Sequence, residues 1–204
     1  MGLAEAKKYL NELHKKQDNP FLWPDFLTGL PDKAAIIKKV DEVFPRLGVY
    51  SIAYVRIANV HPYLIKYGPD SHAEIIQWAA AILKTSSGKC KDLFVGTLST
   101  HDFIVTCETD KMERTLTEAC RIFNKRMEQF YSDEDLAKGT TLSFIRGGEK
   151  VHVGLVKLIA VIADAKLKTA KSRIIQDMGK VCESLEMTGD DMIRMSSELI
   201  CRKS

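Results

Sequence analysis

No CxxC pair joins any of the five cysteines, which stand at 90, 107, 120, 182 and 201. Such an odd, scattered set excludes a disulfide scaffold and suits reduced thiols in a cytosol. An excess of charge of one sign is also missing: 30 Lys and Arg against 27 Asp and Glu leave a formal charge of +3. That balance argues against a nucleic-acid binder, and without a dense basic stripe it gives no membrane-surface role. Long apolar runs are absent too. The stretch from Val153 to Ala163 is interrupted by Lys157 and is too short to span a bilayer. No charged-then-apolar leader opens the chain, which therefore reads as intracellular and cytoplasmic. What remains is 204 residues, 45% hydrophobic and 28% charged, enough for one ordinary globular core.

Leu3, Ala6, Leu10 and Leu13 recur at helical spacing and predict a short amphipathic helix ending before Asp18-Asn19-Pro20. Alone it would be marginal, so something must cover its apolar stripe. Leu10 and Leu13, with Trp23 in the connection that follows, are therefore candidates for a dimer or partner surface, the alternative being packing on the same domain. A second helix runs from Asp32 to Phe44, where Pro45 ends it. Gly48 to Ile57 has the Val, Ile and Tyr content of a central strand covered on both faces. A helix over Ala73 to Leu83 precedes a hairpin, Leu93 to Leu98 and Asp102 to Cys107. A long helix from Asp110 to Tyr131 leads to a second hairpin, Thr141 to Ile145 and Val151 to Ile162, turning on Gly147-Gly148. Helices at 171–187 and 190–203 close the chain. This order predicts an α+β fold with a palm or ferredoxin-like βαββαβ core. Its central sheet is mainly antiparallel, with helices packed on it and extra helices at both ends.

The run Asp25-Phe26-Leu27-Thr28-Gly29-Leu30-Pro31-Asp32-Lys33 resembles the D-x-L-T-G-L-P-N-R segment that opens GGDEF domains, the diguanylate cyclase family. Asp92 to Val105, with Phe94-Val95-Gly96 and Asp102-Phe103, resembles that family's signature hairpin, and Phe130-Tyr131 with Glu134-Asp135 strengthens the similarity. The resemblance divides the chain into an N-terminal helix and linker (1–24), a GGDEF-like domain (25–187) and a C-terminal helix (188–204).

It also implies that the reactive positions are lost. Ser99 and Thr100 stand where the family has two glycines at its guanine-nucleotide site, and His101 stands where it has an acidic metal ligand; only Asp102 and Phe103 keep their type. Arg56 replaces the second metal-binding aspartate. Leu64 and Ala73 replace groups that read guanine, and His61 replaces a phosphate-binding lysine. A guanidinium repels Mg²⁺, and imidazole is a poor ligand for so hard an ion. The resemblance therefore implies a degenerate domain with no catalytic residues, no metal and no cofactor.

Sharper readings stand beside plainer ones. Arg56 is either a phosphate-binding arginine or a partner for a carboxylate such as Asp102, and the residues favour the pairing. His61, His72 and His101 follow no metal-ligand spacing and read as isolated surface histidines. Lys89-Cys90-Lys91-Asp92 is similar to the R-x-x-D inhibitory site of the family, with Lys89 and Asp92 as weak nucleotide contacts, but reads better as a solvated basic loop. Lys166, Lys168, Lys171 and Arg173 read as a charged face. Cys107 and Cys120 read as core. The expectation is a catalytically inactive module of cyclic-di-GMP-type bacterial signalling that works by protein–protein interaction with another signalling protein or a second copy of itself. A noncatalytic receptor for cyclic di-GMP or GTP is the alternative, and an active cyclase comes last.

Overall fold

Strand β1 (Tyr50–Ala58) is buried along nearly its whole length because neighbours flank it on both sides and helices cover both faces. The computed structural model describes residues 2–16, 25–86, 90, 92–165, 167, 169–188 and 190–195, with 13–16 as backbone only. Strands β2 (Phe94–Thr97) and β3 (Asp102–Glu108) form the expected hairpin, and β3 pairs antiparallel with β1. On the other side of β1 lies β6 (Lys157–Ala163), also antiparallel, and β7 (Met192–Arg194) extends the sheet in parallel with β6. The order is β2-β3-β1-β6-β7.

Alternation along β1 divides the core in two. Ala53, Val55 and Ile57 face helices α1 (Leu3–Lys16), α3 (Val60–Thr85) and α4 (Thr109–Met127). Ile52 and Tyr54 face α2 (Lys33–Val43) and α6 (Ile174–Thr188). β1, α3, β2, β3, α4 and β6 make up the expected βαββαβ core. The Asp32 carboxylate accepts the Ala35 N–H at 3.0 Å and so fixes the start of α2. Gly96 lets α2 approach β2: a Cβ there would lie 2.5 Å from Ile36 Cγ1.

Three expectations change, and one open choice is decided. The chain from Val151 to Ile162 is two strands, not one. Among the described residues β5 (Glu149–Gly154) pairs only with β4 (Thr140–Arg146), and β6 begins afresh at Lys157 in the main sheet. This hairpin follows the short helix α5 (Asp133–Lys138), and Gly147 and Gly148 turn it with φ of 60° and 85°. Met192–Arg194 is a strand where a C-terminal helix is expected, because the open edge of β6 takes its hydrogen bonds; residues 196–204 lie outside the described ones. Helix α3 begins at Val60, well before Ala73, since Pro62 falls in its first turn, where no backbone N–H is needed; Gly68, at φ 86°, and Pro69 kink it. Of the two readings of α1, packing on the same domain is the one found. Ala6 and Leu10 are buried in the domain's own core, α1 packs on α3, and Tyr9 donates to the Thr28 carbonyl at 3.3 Å.

Candidate functional site

The end of β1, the β2–β3 turn, the start of α3 and the end of α6 meet at one place, organised around Asp102. Sheet register sets Arg56 of β1 directly opposite Asp102 of β3. Arg56 Nε donates to Asp102 Oδ1 at 2.7 Å, and Ser99 Oγ donates to Asp102 Oδ2 at 2.7 Å. The Asp102 carbonyl accepts the N–H groups of Leu98 and Ser99 at 2.9 and 3.2 Å, closing the turn. Both lobes of the carboxylate are therefore engaged.

Arg56 reaches two further groups. It donates to the Tyr54 hydroxyl at 3.3 Å, and its Nη1 lies 3.9 Å from Glu186 Oε2. Burial opposes the guanidinium charge, but the Asp102 hydrogen bond and charge outweigh it and hold the group more firmly protonated than usual. Burial, then the Asp102 charge, pushes the Tyr54 phenol up. Glu186 also accepts the Asn59 N–H at 2.8 Å, and Asn59, at φ 60°, donates its side chain to the Leu155 carbonyl at 3.1 Å. The left-handed turn between β1 and α3 is held from both sides; Asn tolerates it better than most residues.

Two imidazoles meet at the rim. His61 and His101 stand edge to face with ring centroids 5.2 Å apart. Burial first, then the charges of His61 and His101, holds the His72 pKa below its ordinary value. His101 is also held below its ordinary value, by burial first, with Arg56 and His61 adding to the effect against Asp102. The expectation of isolated surface histidines is thus corrected for His61 and His101, which α3 and the β2–β3 turn bring together. Among the described residues no group of three or more His, Cys, Asp or Glu is placed to hold a metal ion. The surroundings of Asp102 do not fit Mg²⁺ either, since its carboxylate is taken by Arg56 and Ser99 and the groups beside it are a guanidinium and an imidazole.

Arg56, Ser99, His101 and Asp102 come together, and Arg56 makes the carboxylate pairing that its residue type favours. Thr100 lies at the surface of the turn with its hydroxyl 3.2 Å from His101 Nδ1. Phe103 is wholly buried and serves the core opposite Val55. Asp92 lies elsewhere, accepting the Tyr50 hydroxyl at 3.0 Å. Lys89, Trp23, Lys166, Lys168 and the Leu13 side chain lie outside what is described. Lys171 pairs with Asp41 at 2.9 Å, and Arg173 lies 3.8 Å from Asp177, as a charged face would. Cys107 and Cys120 are core residues, and burial pushes the Cys120 thiol up to about 12. Sequence reasoning missed Tyr54 and Glu186; no spacing links a residue of α6 to the start of α3.

The Leu-Thr-Gly-Leu-Pro run supports this hairpin from outside. Asp25 Oδ1 accepts both the N–H and the hydroxyl of Thr28, at 2.7 and 2.5 Å. The Thr28 hydroxyl meets that of Thr97 at 2.9 Å, and the Thr97 N–H donates to the Pro31 carbonyl at 2.8 Å. The motif thereby extends the outer edge of β2.

No protein-family model matches the chain, and a search of curated proteins finds no match. Solved structures do match. The GGDEF domain of FimX from Pseudomonas aeruginosa superposes with a TM-score of 0.55 at 13% identity, over 84% of this chain and 98% of that one. The GGDEF domain of DgcB from Caulobacter crescentus, solved in complex with c-di-GMP, gives 0.56 at 11% identity over 85% and 95%. The diguanylate cyclase SiaD from Pseudomonas aeruginosa, solved in complex with its activator SiaC, gives 0.59 at 13% over 93% and 67%. The chain thus has the fold of GGDEF domains. Among the described residues no helix is long and apolar enough to cross a membrane.

Proposed function

We propose that this chain is a GGDEF-fold module of cyclic-di-GMP-type bacterial signalling that has no cyclase activity and acts by binding another protein. The Arg56–Asp102 pair carries the reading. Two-metal phosphoryl transfer needs free carboxylates to hold the cations against the triphosphate. Here the carboxylate of Asp102 is neutralised by a guanidinium 2.7 Å away and capped by Ser99. Arg56, committed to Asp102, Tyr54 and Glu186, is equally unavailable to a phosphate. That engagement disfavours a nucleotide receptor in the same place. A protein partner has a precedent in the fold, since SiaD was solved with its activator.

The direct test incubates the chain with GTP and Mg²⁺ or Mn²⁺ and looks for cyclic di-GMP by chromatography. None is expected. Product that scales with protein and vanishes in Asp102→Ala would sink the reading. Calorimetric titration with cyclic di-GMP and GTP is expected to be flat; a saturable heat would make the chain a receptor instead.

A further inference from the structure

Away from the Arg56 cluster, two thiols share one neighbour. Cys90, half-buried ahead of β2, has its Sγ 3.7 Å from the Glu108 carboxylate. Cys107, wholly buried near the end of β3, has its Sγ 3.5 Å from the Glu108 carbonyl oxygen and 3.7 Å from Met112 Sδ. Cys90 packs on the same apolar cluster that contains Cys107. Register explains the approach: Phe94 pairs with Thr106, so the chain ahead of β2 runs beside the end of β3. The Cys107 thiol is pushed up by burial first and then by Cys90, which is close enough to act on it. Lys111, bonded to Glu108, offsets the carboxylate's charge beside Cys90.

We propose that Cys90 and Cys107 are a peroxide-responsive thiol pair that closes to a reversible intramolecular disulfide. Exposure sets the order, because hydroperoxide can reach half-buried Cys90 but not Cys107. The Cys90 thiolate attacks one peroxide oxygen, the O–O bond breaks, and the leaving oxygen takes a proton to depart as water or an alcohol. Cys90 is now a sulfenic acid. The Cys107 sulfur then attacks the Cys90 sulfur, the S–O bond breaks, and water leaves with the Cys107 proton. Two electrons have passed from the two thiols to the peroxide. Cys90 lies outside the β2 ladder, so closure breaks no β2–β3 pair. The bridge would staple the hairpin that carries Ser99, His101 and Asp102, and a dithiol would reopen it.

The test treats the full chain with hydrogen peroxide, blocks remaining thiols by alkylation and maps the peptides by mass spectrometry. A single Cys90–Cys107 cross-link, lighter by two hydrogens, is expected, with reversal by dithiothreitol and an upward shift of the thermal midpoint. Cys90→Ser should abolish it, and Cys107→Ala should leave a Cys90 sulfenic acid that dimedone traps. Should Cys107→Ala fail to fold, the map of the unsubstituted chain decides. Overoxidised Cys90 beside an unmodified Cys107, a bridge through Cys201 or between two chains, or no reaction would each overturn the proposal.

Discussion

Arg56 and Asp102 occupy one rung of the central sheet, facing each other from β1 and β3, with Nε 2.7 Å from Oδ1. Their side chains are only 12% and 8% exposed. Removing one member of so enclosed a pair leaves the other charge without its main compensation. Asp102→Ala is expected to cost about 3–5 kcal/mol, and it also frees Ser99 from its acceptor. Arg56→Met should cost less, because Asp102 keeps Ser99 and its stem volume is roughly preserved. The double variant should cost well under the sum, a coupling that urea unfolding of the four proteins reads directly. Additive losses would show that the two groups stand independently.

Restoring carboxylates should not restore chemistry. In Arg56→Asp with His101→Asp, the introduced carboxylates would face Asp102 and Glu186, so repulsion replaces the present pairing. Leu64, Ala73, Ser99 and Thr100, which the resemblance sets on the substrate side, would be unchanged. We expect no cyclic di-GMP from GTP and a lower unfolding midpoint, which added Mg²⁺ does not recover. Turnover by the double variant alone would mean that only metal binding had been lost.

Two histidines should make stability depend on pH. His72 and His101 are held below the ordinary value by burial and by neighbouring positive charge, so the folded chain takes up their protons less readily than the unfolded chain. The sign follows. Their contribution is complete above the unfolded histidine pKa of about 6.5 and is lost progressively as pH falls below it. Denaturant midpoints from about pH 8 to about pH 5.5 should decline on the acid side, above the range where carboxylates titrate. His72→Gln with His101→Gln should flatten the decline; an unchanged slope would assign it to other groups.

Much of this was legible in the sequence, for identifiable reasons. The Val, Ile and Tyr run of β1, the Gly147-Gly148 turn and the Asp32 cap each act over a few residues, so pattern reveals them. Arg56 and Asp102 could be paired on paper because residue type and strand ends suffice. The break at Leu155-Val156 was hidden, since the apolar run continues through it while its pairing partner changes from β4 to β1. Met192–Arg194 has a helix-compatible pattern, and only the open edge of β6 makes it a strand. The Asn59–Glu186 contact spans 127 positions, and the His61–His101 contact joins the start of α3 to the β2–β3 turn.

Helix α1 should behave as part of the core. Leu10 is 6% exposed and Ala6 is 1% exposed, both packed into the cluster that contains α3, while Tyr9 ties the helix to Thr28 of the motif that supports β2. A docking helix would keep those residues free until a partner arrived. Leu10→Ala is expected to destabilise the chain by about 2–3 kcal/mol, toward the low end for buried leucine because a terminal helix can partly close the cavity. Leu3→Ala, at a residue 40% exposed, should cost less than about 0.5 kcal/mol. Urea unfolding with light scattering separates the two roles. A drop in stability for Leu10→Ala with no change in molar mass marks α1 as a structural element. Unchanged stability with loss of a dimer would instead return Leu10 to an interface.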